Sequence, residues 1–112
     1  MGEERVLIVE GASDRKRLIP LIAEPMDIIC TNGTISPYEL EQMLAPYEGW
    51  ELFVFVDADE SGEKIRALFK RDFPTAIHIY TEKIYREVET TPNEVLIAAL
   101  QNAHIEVRAK YL

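Results

Sequence analysis

Four short runs free of charged residues, at 6–9, 28–30, 52–56 and 76–80, alternate along the chain with stretches whose apolar residues fall three and four apart. Runs such as Val6-Leu7-Ile8-Val9 and Leu52-Phe53-Val54-Phe55-Val56 suit strands covered on both faces, as in a parallel sheet between helices. The intervening helices carry their own signals. Ser13 is placed to cap a first helix opening at Asp14 and carrying Leu18, Ile19, Leu21 and Ile22, with Pro20 kinking or ending it. Ser36-Pro37-Tyr38-Glu39 forms a capping-box start ahead of Leu40, Met43 and Leu44, and Thr91-Pro92-Asn93-Glu94 repeats it ahead of Leu96, Ala99, Leu100 and Ala103. Ile65, Leu68, Phe69 and Phe73 share one helical face that Pro74 closes. The charged connection at 81–90 shows no period. The pattern predicts an α/β fold, a three-layer sandwich with a mainly parallel four-stranded sheet, in one domain over residues 1–112.

Acidic residues stand where two of these strands end. Glu10 follows the first run, and Asp57 and Asp59 follow the third. Ligands of parallel sheets bind beyond the carboxyl ends of the strands. If the first and third strands are neighbours, the three carboxylates converge, and their mutual repulsion calls for a cation. Oxygen donors of this kind suit magnesium, held by carboxylates together with substrate phosphate oxygens. Strand alternation sends Asp57 and Asp59 to one side, Glu60 and Glu63 are within reach as outer ligands, and Gly62 allows a sharp turn into the next helix. Thr31-Asn32-Gly33-Thr34 ends the second run as a polar turn at the same edge. Strand-end acids also occur in receiver domains and haloacid-dehalogenase-type phosphatases. A receiver domain would want paired acids after the first strand, where this chain has Glu10-Gly11.

Composition narrows the reading. The formal net charge of −8 excludes a whole-surface grip on nucleic acid and leaves a local one, through Arg15, Lys16 and Arg17 or through Lys64 and Arg66; Lys70 and Arg71 read as a solvated face. Cys30 is the only cysteine and sits in an apolar run, so no internal disulfide forms and a buried role is expected. No stretch approaches the roughly 20 apolar residues of a membrane span, and Met1-Gly2-Glu3-Glu4-Arg5 does not resemble a leader, so a cytoplasmic protein with no membrane contact is expected. Trp50 and His78 are read as packing residues, and His104 carries no signal.

Val9-Glu10-Gly11 with Asp14, and Asp57-Ala58-Asp59 with Gly62-Glu63, together resemble the Toprim domain of topoisomerases, bacterial primases, old-family nucleases, recombination-repair proteins and the ribonuclease that matures 5S ribosomal RNA. The likeness is greatest to the Toprim portion of that ribonuclease. It has a turn like Thr31-Asn32-Gly33 and a run like Gly62-Glu63-Lys64-Ile65-Arg66, and the resemblance extends from about Val6 to Asn102. It implies Glu10 as general acid or base or metal ligand, and Asp57 and Asp59 as ligands of magnesium, with manganese as a substitute. By likeness to the old-family nucleases Asp14 is a further ligand, although the residues alone equally allow a first-turn aspartate favoured by the helix dipole. Gly11, Lys16, Thr31, Asn32, Gly33 and Gly62 then fall to substrate binding, the Thr31-Asn32-Gly33 turn shaping a phosphate pocket through backbone donors. Two departures from the ribonuclease pattern are read: Ala12 stands where lysine is frequent, and the C-terminal domain that serves that ribonuclease for its RNA and ribosomal-protein partner is not expected here. The activity implied is magnesium-dependent cleavage or transfer of phosphodiester bonds in nucleic acid, RNA ahead of DNA. The alternative is a non-catalytic metal- and phosphate-binding module that relies on a partner protein for substrate capture. A topoisomerase-like covalent step is not expected.

Overall fold

The uncharged runs form strands β1 (Arg5–Val9), β2 (Asp27–Cys30), β3 (Glu51–Val54) and β4 (Ile77–His78) in the computed structural model, which describes residues 4–81 and 85–112. The strands are all parallel and lie in the order β2-β1-β3-β4, so β1 and β3 are neighbours, with Leu7 beside Phe53 and Ile8 beside Val54. Side chains of successive residues leave opposite faces of a strand. Leu7, Val9, Phe53 and Phe55 therefore pack with Leu18 of α1 (Ala12–Leu18) and with Leu96 and Leu100 of α4 (Asn93–Asn102). Val6, Ile8, Val54 and Val56 pack on the other face with Leu40 and Leu44 of α2 (Pro37–Leu44) and Ile65 and Phe69 of α3 (Glu60–Asp72). Each such side chain stabilises the fold by about 1.5–3 kcal/mol through burial. This is the three-layer arrangement the uncharged strands require.

Local details depart from the sequence reading in instructive ways. α1 starts earlier than Ser13 would set it: Gly11 is the cap residue, and Asp14 turns back to accept from the Gly11 N–H at 3.0 Å. The helix stops before Pro20 rather than kinking, and Leu21 and Ile22 are buried beyond it, Ile22 bridging antiparallel to Val107. The box at Ser36 forms as expected, the Glu39 N–H donating to the Ser36 hydroxyl and the Ser36 N–H to Glu39. The one at Thr91 does not. Thr91 is fully buried and its hydroxyl donates to the Glu87 carbonyl at 2.6 Å, so α4 begins after Pro92 without a side-chain cap. Within the connection expected at 81–90, residues 82–84 lie outside the described residues, as does the N-terminal stretch 1–3.

Arg66 accounts for the early ends of β3 and β4. Instead of joining a basic surface, its guanidinium is buried and donates to the carbonyls of Val56 at 3.1 Å and Ile79 at 2.7 Å, where a longer β3–β4 ladder would run. It also lies 3.2 Å from Nδ1 of His78. Arginine has only donors, so Nδ1 accepts and the imidazole is neutral. Burial, then the charges of Arg66 and Lys70, hold the His78 pKa below its ordinary value, against a smaller opposing effect of Glu63. The unfolded chain takes up this proton near pH ~6.5 and the folded one only at lower pH. His78 thus contributes stability above the unfolded value, and the contribution is lost as pH falls through the folded one. His78→Asn keeps an acceptor without the titration. Its unfolding midpoint should fall less than that of the wild type between pH about 7 and 5 in paired thermal melts.

Candidate metal centre

Because β1 and β3 are parallel neighbours, the residues that follow them leave the sheet at the same edge. Glu10, Asp57 and Asp59 each bring a carboxylate oxygen there, all within 4.8 Å of one another. Each carboxylate is oriented by a different device. Glu10 accepts from the Asp57 N–H and from the Ser61 hydroxyl, both at 3.2 Å. One oxygen of Asp57 accepts from the Val88 N–H at 2.8 Å, and one of Asp59 caps α3 by accepting from the Gly62 N–H at 2.8 Å. The second oxygen of each aspartate has no hydrogen-bond partner among the described residues. Such an arrangement keeps the side chains still while leaving oxygen lone pairs open.

The charges resist this crowding. Burial, then the charge of Asp57, raises the pKa of Glu10, with Asp59 adding to the rise. Burial raises Asp57 as well, and its neighbours Asp59, Glu87 and Glu89 push the same way against the Val88 hydrogen bond. A site that penalises its own negative charge is relieved by a cation. The donors are all hard oxygens, with neither thiolate nor imidazole among them, which fits magnesium, manganese or calcium better than zinc or copper.

Beside the cluster lies a cavity of about 260 Å³ lined by Glu10, Gly11, Ser13, Asp14, Asn32, Gly33, Asp57, Glu87 and Glu89. Asp14 is a helix-start residue bonded to Gly11, as one of its two readings has it, and it also forms a buried wall of the cavity, its pKa raised by burial and then by Asp57. It stands outside the cluster of three. The backbone donors expected for phosphate are mostly engaged elsewhere. The Thr31 and Asn32 amides extend the β1 pairing to the Val9 and Glu10 carbonyls, the Gly11 amide bonds Asp14 and the Gly62 amide bonds Asp59. This leaves the Gly33 amide without a partner among the described residues, at the tip of a turn in which Asn32 and Gly33 adopt φ of 60° and 99°. Lys16 is exposed and does not line the cavity.

The basic trio on α1 divides. Arg15 donates to the Ile28 carbonyl at 3.1 Å, and Arg17 bonds the Glu89 and Thr91 carbonyls and the Asn93 side chain, so both brace the fold and only Lys16 is left unpaired among the described residues. Ser61, Glu87, Glu89 and the Val88 amide were not singled out from the sequence. A serine two residues past Asp59 and the alternating acids Glu87 and Glu89 were the available signals.

Over 99% of its length the chain matches a solved structure of a small Toprim domain protein from Bacillus stearothermophilus, with a TM-score of 0.92 and 42% identity, and it covers 94% of that protein. The chain belongs to the Toprim family. The same family likeness extends to the uncharacterized protein YusF of Bacillus subtilis, 41% identical over 109 residues, which are 97% of this chain and 75% of YusF. More distant relatives carry the name ribonuclease M5. The Bacillus subtilis enzyme is 28% identical over 119 residues, 98% of this chain and 63% of the enzyme, and ribonuclease M5 1 of Ligilactobacillus salivarius is 36% identical over 84 residues, 74% and 44% respectively. The chain thus spans about half to two thirds of these ribonucleases. No protein-family model matches it. Among the described residues, no helix is long and apolar enough to cross a membrane.

Proposed function

We propose that residues 1–112 form one Toprim unit that cleaves or transfers phosphodiester bonds in nucleic acid with magnesium, manganese substituting, and that RNA is its preferred substrate. The observation that carries this reading is the convergence of Glu10, Asp57 and Asp59 within 4.8 Å at the carboxyl edge of two neighbouring parallel strands. The sequence likeness to ribonucleases M5 supports RNA. Asp57 and Asp59 would hold the ion through their unpartnered oxygens. When bound, the ion supplies positive charge against a phosphoryl oxygen. Glu10, kept in place by Ser61 and the Asp57 amide, takes a proton from the attacking hydroxyl or water, or returns one to the leaving oxygen. The Gly33 amide and Lys16 are the donors on hand for substrate phosphate.

A second reading draws on the same site. Arg15 and Arg17 are engaged within the fold while Glu87 and Glu89 line the cavity, so the walls offer a nucleic acid little positive charge. A partner protein that brings the missing cations fits this surface, whether or not Glu10 catalyses.

Thermal unfolding with and without magnesium tests the centre. A ligand that binds only the folded state stabilises it by mass action, about 2.7 kcal/mol at a hundredfold excess over Kd. The wild-type midpoint should rise with magnesium or manganese. The Asp57→Asn, Asp59→Asn double variant keeps both backbone-facing acceptors and should not respond. Without metal it should melt above the wild type, because repulsion has been relieved. An undiminished rise in the double variant would place the ion elsewhere.

A further inference from the structure

We infer that Arg17 is a positioning residue for Asp57, acting through the segment 85–93. The half-buried guanidinium projects from α1 to that segment alone. It donates to the Glu89 carbonyl, to the Thr91 carbonyl at 2.6 Å and to the Asn93 side-chain oxygen at 2.8 Å. The segment in turn meets the carboxylate site twice, through the Val88 N–H to Asp57 at 2.8 Å and through the Arg86 carbonyl, which accepts from the Ala58 N–H at 2.7 Å. Val88 is buried in the core shared with Leu18, one residue beyond Arg17. A single arginine therefore joins the helix that follows Glu10 to the strap that orients Asp57.

The strap needs such an anchor. It brings Glu87 and Glu89 to a cavity that already holds Glu10, Asp14 and Asp57, and like charges in one cavity repel. Residues 85–87 belong to neither strand nor helix, and a turn follows at 88–90, so no regular ladder fixes the Val88 amide. Charge-assisted hydrogen bonds from a guanidinium to three acceptors in one segment are strong and directional. They hold the Val88 N–H on one Asp57 oxygen, which leaves the other without a hydrogen-bond partner among the described residues. Groups that orient a metal ligand in this way typically alter affinity ten- to a hundredfold when removed. The chemical consequence rests on the ligand role proposed for Asp57; the mechanical coupling of Arg17 to the Val88 amide does not.

Amide hydrogen exchange and manganese titration on the full chain, for the wild type, Arg17→Ala and Arg17→Lys, separate the two. Arg17→Ala should speed exchange at the Val88 amide roughly tenfold or more while the amides of β1 stay protected, and should weaken manganese binding by roughly ten- to a hundredfold. Arg17→Lys, which retains charge and some donors, should recover part of both effects. If Arg17→Ala does not fold, Asn93→Ala removes one of the three acceptors and should shift both quantities the same way to a smaller extent. Unchanged Val88 exchange overturns the inference whatever the metal result. So does faster Val88 exchange with undiminished manganese affinity. A wild-type protein that binds no metal overturns instead the reading of the carboxylate site, with Val88 exchange still deciding whether Arg17 holds the strap.

Discussion

Glu10→Gln is expected to slow magnesium-dependent cleavage of RNA by about 10²- to 10⁴-fold, the range that a positioned acid or base contributes. The substitution is nearly isosteric. Its amide oxygen can still accept from the Asp57 N–H, and the Ser61 hydroxyl can reverse its role and accept from the new amide. The fold and the cavity are therefore kept, and substrate affinity should change little. What is lost is a group able to exchange a proton, together with one of three crowded negative charges. Single-turnover rates on a panel of RNA and single-stranded DNA substrates measure the first, and the metal-induced rise in thermal midpoint measures the second. A variant that no longer responds to magnesium would make Glu10 a ligand first, and the proton would need another carrier. Wild-type protein that binds metal and cleaves nothing on such a panel would favour the partner-dependent module.

Gly62→Ala should be the most destructive glycine-to-alanine change among the described residues. A Cβ built on Gly62 would sit 1.8 Å from the Asp57 carbonyl oxygen and 2.8 Å from its carbon, and both are backbone atoms that cannot swing aside. Overpacking commonly costs 1–3 kcal/mol, and an overlap this deep places the loss at about 3 kcal/mol or beyond. Relief by shifting the start of α3 would lengthen the Gly62 to Asp59 bond, and relief by shifting the strand end would move Asp57. Chemical denaturation should therefore show the loss of stability, and the magnesium response should disappear along with it. A variant of wild-type stability would mean that the helix start and the strand end are farther apart than described.

These two residues show how far the sequence could be read. Uncharged runs announced both the strands and their burial on two faces, because no charged side chain can be hidden in such positions without a partner. From there, Glu10, Asp57 and Asp59 followed as neighbours once β1 and β3 were set side by side. Gly62 was recognisable as necessary but for a different reason: its backbone is helical, and it is glycine because the helix start passes against a carbonyl. That is a tertiary distance, invisible in a spacing. Long cationic side chains were the least legible. Arg17 and Arg66 stand in runs that resemble surface patches, yet each donates to backbone carbonyls remote in sequence, a choice settled by which carbonyls the fold leaves unpaired. Thr91 misled in the opposite direction, since a buried carbonyl at Glu87 competed successfully for its hydroxyl.

Trp50 is the sole tryptophan, set edge-on to Tyr47 at 5.0 Å just before β3 begins, in a groove it shares with Leu44 and Phe73. Asp57 lies beyond the other end of that strand, roughly 20 Å away at about 3.3 Å per extended residue. The molecule consequently carries an optical probe at one pole and its acidic cluster at the other. Ultraviolet emission from Trp50 follows the solvent exposure and local charge of the distant groove, which Glu41 and Glu48 also line. A change in its colour during a metal titration that disappears in the Asp57→Asn, Asp59→Asn variant is a signal carried along β3 from the acidic cluster.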